Sequence, residues 1–92
     1  MQYQPLKVVR KPEIKALTGL STTTQFEQIK LGLLPKYINL GARSVGLFEH
    51  EIQAILAARS VNKSDCEIRE IVKALIKQRE TSANDLLKLL VA

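Results

Sequence analysis

Apolar residues return at helical spacing over most of this chain, and the breaks between those stretches carry glycine, proline or capping residues. Pro12 suits a first helical turn, and Ile14 and Leu17 follow at i, i+3 before Gly19 stops the segment. A second helix is predicted from Thr22 to about Leu31, with Ser21 before it as a cap, Gly32 after it and Pro35 preventing continuation. Residues 36–40 and 44–48 concentrate β-forming side chains on either side of Gly41-Ala42-Arg43, the pattern of a hairpin. From Glu49 or His50, Ile52, Ile55 and Leu56 follow the i, i+3, i+4 rule, and their helix should cover the first two from behind. Ser64-Asp65-Cys66-Glu67 has capping-box spacing, after which Ile68, Ile71, Val72, Leu75 and Ile76 form an unbroken apolar stripe. Residues 82–85 offer caps for a last short helix bearing Leu86, Leu87, Leu89 and Leu90. Residues 1–9 lack a helical period and alternate loosely through Leu6, Val8 and Val9, which reads as an arm or a short edge strand.

The closest junction in this order lies between the first two helices. Gly19 can take the positive φ that ends one helix, and Ser21 can cap the next. Helices joined so tightly cross steeply, which is the geometry of a helix-turn-helix whose second helix can enter a DNA major groove. An ordinary helical hairpin with solvated Thr22, Thr23 and Thr24 accounts for the same stretch. A helical wheel groups Phe26 with Ile29, whereas the helix-turn-helix arrangement turns Gln25 and Ile29 inward and exposes Thr22, Thr23, Phe26, Glu27 and Lys30; the second assignment is preferred. A hairpin after such a helix is the wing of a winged helix, and Arg43 at its tip can lie along phosphates or enter a minor groove. The expected fold is therefore mainly α with a small β-hairpin. It comprises an N-terminal arm and winged helix-turn-helix over residues 1–60, then a helical extension over 61–92 that packs on the domain or dimerises.

Composition narrows the function. Ninety-two residues with 46% hydrophobic content support one small domain. The net charge of +5 is uneven, because up to Phe48 seven lysines and arginines oppose only Glu13 and Glu27, while the remainder is balanced. A phosphate backbone is the commonest partner for a basic half of this kind. No carboxylate pair, Cys/His cluster, nucleophile motif or phosphate loop stands at useful spacing, so neither an enzyme nor a cofactor is expected. His50 has no metal-ligating company, and the single Cys66 cannot form an internal disulfide. The apolar runs are too short for a membrane span and no signal pattern begins the chain, which leads to the expectation of a cytoplasmic protein.

Residues 10–59 resemble the AlpA family of small prophage regulators, related to the winged helices of MerR-type regulators and phage excisionases. The matching motifs are Thr18-Gly19-Leu20-Ser21 with Thr24, Gly32 with Leu34-Pro35-Lys36, Leu40-Gly41-Ala42-Arg43-Ser44-Val45-Gly46, and Glu51-Ile52. Residues 62–69 also look like an extension found in longer members. The resemblance implies a DNA-binding regulator of a mobile element that controls integrase expression or excision without catalysis. It gives Thr22 and Thr23 the groove-facing role, Lys36 the approach to the wing and Arg43 its tip. The chain departs from the family pattern at Thr22 and Glu27, where many relatives are basic, at Gln25, often aliphatic, at Tyr37, a second proline, and at Leu47, a tryptophan.

The candidate DNA contacts are Arg10, Lys11, Thr22, Thr23, Phe26, Lys30, Lys36, Arg43 and Ser44, acting on double-stranded DNA. The C-terminal leucines need cover, either by folding back onto the preceding stripe or in a homodimer through Ile68, Ile71, Val72, Leu75, Leu86, Leu87 and Leu90. Two further readings stay open. One is an excisionase acting architecturally at element ends; the other is a degenerate winged helix, spoiled for DNA by Glu27, that binds a protein.

Overall fold

The computed structural model describes residues 7–91, and its first third follows the local signals closely. Helix α1 (Lys11–Thr18) carries a proline in its first turn and ends at Gly19, whose φ of 75° turns the chain out of the helix while its N–H donates to Lys15 O at 2.7 Å. Ser21 then caps α2 (Thr22–Lys30), its hydroxyl accepting from the Thr24 N–H at 3.2 Å. Strands β2 (Ile38–Gly41) and β3 (Ser44–Phe48) flank a two-residue turn in which Ala42 and Arg43 both have positive φ, 41° and 68°. Two such residues make the type I′ geometry whose twist matches a tight hairpin.

The arm joins this hairpin. Strand β1 (Val8–Arg10) pairs antiparallel with β3, so the three-stranded sheet runs β1-β3-β2, and Arg10 leads directly into α1. Gly46 faces Arg10 in one register and Ile38 in the other. A Cβ there would stand 2.6 Å from Val9 O, so a side chain would force the two strands apart. The part of the expected arm in residues 1–6 lies outside the described residues.

Helix α3 (Glu49–Ser60) continues straight from β3 and bridges two small cores. Its Ile52 packs with Val9, Ile14 and Leu47, and its Ile55 and Ala58 pack with Leu33, Leu34, Ile68 and Val72. The last two belong to α4 (Asp65–Val91), so the start of that helix completes the second core. A buried ion pair holds it further along. Glu51, 1% exposed, accepts from Arg79 Nε at 3.1 Å and also from Arg79 Nη2, while Arg79 Nη1 donates to Lys36 O at 3.1 Å. A bidentate guanidinium thus ties α4 to α3 and to the segment leading into the wing.

The architecture is a winged helix-turn-helix followed by a C-terminal helix, and it differs from expectation in four places. The separate last helix does not exist, because Thr81, Ser82, Ala83 and Asn84 contain no glycine or proline and lie in a helix already nucleated, where each added residue gains a hydrogen bond without a new nucleus. The leucines beyond them do not fold back; Leu86, Leu87, Leu89 and Leu90 are all exposed, Leu89 to 79%. Ile68 and Val72 are interior residues and are unavailable to the expected homodimer surface, and Ile71 and Leu75 are half-buried against the same cluster. Finally, the first wing strand begins at Ile38 rather than Lys36, whose carbonyl is taken by Arg79.

Candidate nucleic-acid interface

The inward face of α2 is set by Gln25, which is fully buried, together with half-buried Ile29. Turning those two inward leaves Thr22, Thr23, Phe26, Glu27 and Lys30 on the opposite side, where with Lys11 they line one shallow depression. Phe26 stays 60% exposed there despite its apolar ring. Gln25 fixes the crossing of the two helices. Its Nε2 donates to Leu20 O at 3.0 Å and to Lys11 O at 3.3 Å, and its Oε1 accepts from the Tyr37 hydroxyl at 2.9 Å.

Tyr37 was not among the residues expected at this site, yet it organises one edge of the depression. Lys11 Nζ lies 5.4 Å from the centre of its ring, and the Phe26 ring meets it edge-on at 6.1 Å. Partial burial pushes the Tyr37 hydroxyl above its ordinary pKa, and the hydroxyl donates to Gln25 Oε1. The signal for it was an aromatic residue where the family pattern has proline.

The wing connects to this surface through β1. Arg10 Nη2 donates to Ser44 Oγ at 3.2 Å, and Arg10 is followed by Lys11 at the start of α1. Arg43 occupies the exposed tip in the left-handed region, a conformation arginine rarely takes. The structure thus gathers Lys11, Thr22, Thr23, Phe26 and Lys30 in one depression and bonds Arg10 to Ser44 beside the tip. Lys36, exposed before the wing, makes none of these contacts.

Charge separates the two halves of the molecule. Among the described residues Arg10, Lys11, Lys15, Lys30, Lys36 and Arg43 form no ion pair, whereas in the second half Arg59, Lys63, Lys73 and Arg79 each face a carboxylate within 4 Å and Arg69, Lys77 and Lys88 do not. Lys7 is spent on Glu49 at 3.4 Å. The unpaired Lys11 and Lys30, with hydroxyls and an aromatic ring beside them in the depression, suit a polyanion that also presents apolar edges. Glu27, which lies in the same depression, opposes this charge locally. None of the C-terminal leucines lines the depression; Leu86 instead borders a separate groove with Phe48, His50 and Arg79. Among the described residues no cluster of histidine, cysteine and carboxylates could hold a metal ion, and no helix is long and apolar enough to cross a membrane.

Residues 7–60 match the family model described as Prophage CP4-57 regulatory protein (AlpA). The chain is also similar to a protein of Enterobacteria phage P4 named Uncharacterized protein ORF88, with 36% identity over 53 residues, 58% of this chain and 60% of that relative. The match therefore spans less than two thirds of the relative's length. No solved structure matches the chain.

Proposed function

Because this chain belongs to the AlpA family of prophage regulatory proteins, we propose that it binds double-stranded DNA, with α2 in the major groove and the β2–β3 wing against the adjacent backbone. The observation that supports this reading is the convergence of Lys11, Thr22, Thr23, Phe26 and Lys30 on one open face whose cations have no carboxylate partners among the described residues. Thr22, Thr23 and Phe26 face base edges. Arg10, Lys11, Lys30, Lys36 and Arg43 supply phosphate contacts, and Ser44 holds Arg10 at the wing. DNA contact falls in residues 1–60, and 61–92 act as a supporting extension.

The biological role in this reading is control of integrase expression or of excision on a mobile element. An excisionase would use the same contacts, and footprints over element ends rather than an integrase promoter would identify it. Exposed Glu27 and the bare leucines of α4 favour the other reading, a winged helix that binds protein.

Glu27→Lys separates the two. After selection of duplexes from a randomised pool, gel-shift titration of the variant should show tighter binding by on the order of 1 kcal/mol, since a like-charge repulsion becomes an attraction. Absence of any shifted duplex with either protein would reject DNA binding and leave the protein-binding reading.

A further inference from the structure

We infer that the α2 face reads thymine through the C5-methyl group, with Phe26 as the residue that selects it. This inference rests on the proposed DNA binding and adds the class of base that is recognised. The five outward positions of α2 are Thr22, Thr23, Phe26, Glu27 and Lys30, and their chemistry narrows what they can distinguish. Guanine presents only acceptors in the major groove, O6 and N7, and is read by a fork of donors. Helix α2 contains no arginine, and Lys30 stands at its last residue. Gln25, the side chain near the start of α2 able to grip adenine with a donor and an acceptor, is fully buried and has both donors engaged. Glu27 accepts only, so it opposes the acceptor-only edge of guanine and tolerates the amino groups of cytosine or adenine.

The Thr22 and Thr23 hydroxyls can donate or accept and so suit any base, which leaves as the selective group an aromatic ring, 60% exposed, next to two threonine methyls. Phe26 is also held in place. Its ring meets Tyr37 edge-on, and the Tyr37 hydroxyl is bonded to buried Gln25. A large apolar group fixed on an otherwise polar face gains by burying against another apolar group, and the thymine methyl is the apolar group of the major groove.

The test replaces thymines of a selected, bound duplex one at a time by deoxyuridine, which removes the methyl and leaves every hydrogen-bonding group. At one position or more the wild-type Kd should rise about fourfold, the equivalent of about 0.8 kcal/mol for one buried methyl group. With Phe26→Ala the same replacement should have no effect, while Phe26→Leu should retain part of it. Phe26 is largely exposed, so both variants should fold, and a ring that merely supported Tyr37 would leave the deoxyuridine effect intact in the alanine variant. Equal affinity for thymine and deoxyuridine at every position, or an effect that persists in Phe26→Ala, overturns the assignment while DNA binding stands. Failure to select any duplex removes both.

Discussion

Gln25 shows how one buried amide sets the geometry of the molecule. An amide side chain has two donors and an acceptor oxygen. Gln25 spends both donors on carbonyls of α1 and the turn, and its oxygen on Tyr37 ahead of the wing. Three segments are thereby referred to one side chain. Gln25→Leu fills similar space but strands the Tyr37 hydroxyl and the Leu20 carbonyl, and should cost about 1–3 kcal/mol in urea unfolding. Adding Tyr37→Phe should return part of the loss, and a strictly additive double variant would show that the two residues are not coupled. At the wing tip, Arg43 carries a left-handed backbone for which glycine is better suited. Arg43→Gly should therefore leave stability unchanged or raise it by roughly 0.5 kcal/mol, the left-handed penalty less glycine's own entropy. The same change should weaken DNA binding, so urea denaturation and a gel shift would move in opposite directions.

Elements with strong local punctuation behave as their caps require, and α4 is the clearest instance. Ser64 N–H and hydroxyl both donate to Glu67 Oε1, at 3.3 and 3.1 Å, and the Glu67 N–H donates back to Ser64 Oγ. The Ser64 backbone bond, then its hydroxyl, then the nearby Lys63 charge hold the Glu67 carboxyl below its usual pKa of 4.5. Because the folded pKa is depressed, this contribution to stability is complete above pH 4.5 and disappears as pH falls through the lower folded value. Thermal unfolding followed from pH 6 downward should show that loss, and Ser64→Ala, which deletes the hydroxyl but keeps the backbone N–H, should reduce it; an identical pH profile in the variant would contradict the hydroxyl's part in it. The caps and the hairpin were readable from sequence because each rests on contacts only a few residues apart, and the exposed face of α2 because the helix-turn-helix pattern turns Gln25 and Ile29 inward. Three other features were not. The end of α4 looked like a separate helix because Ser82, Asn84 and Asp85 can cap, but capping residues do not stop a helix that has no glycine or proline to break it. Arg79 and Glu51, 28 residues apart, form a buried pair that no local pattern announces. Tyr37 and Gln25 stood out as separate departures from the family pattern, and only their contact across 12 residues shows them to be one feature.

On the scale of the whole molecule, charge and shape divide the labour. The balanced second half spends most of its cations on ion pairs, on the Leu31 carbonyl through Arg69, and on the link from α4 to the wing. The basic first half spends Lys7 on Glu49 and leaves Lys11 and Lys30 beside α2, and Arg10 and Arg43 at the wing, without carboxylate partners among the described residues. The long α4 extends past the domain with its last turns bare, which contributes to an elongated outline of 42 × 30 × 23 Å. If the cations beside α2 and at the wing meet DNA phosphates together, binding must weaken as salt rises. Affinity of the wild-type protein for a selected duplex, measured across a range of salt concentrations, should fall linearly in log–log form, with each phosphate contact contributing a slope of about −0.9. Arg43→Ala should reduce that slope by about one contact and cost on the order of 1 kcal/mol. An affinity that does not change with salt, or a slope that Arg43→Ala leaves untouched, would contradict the account.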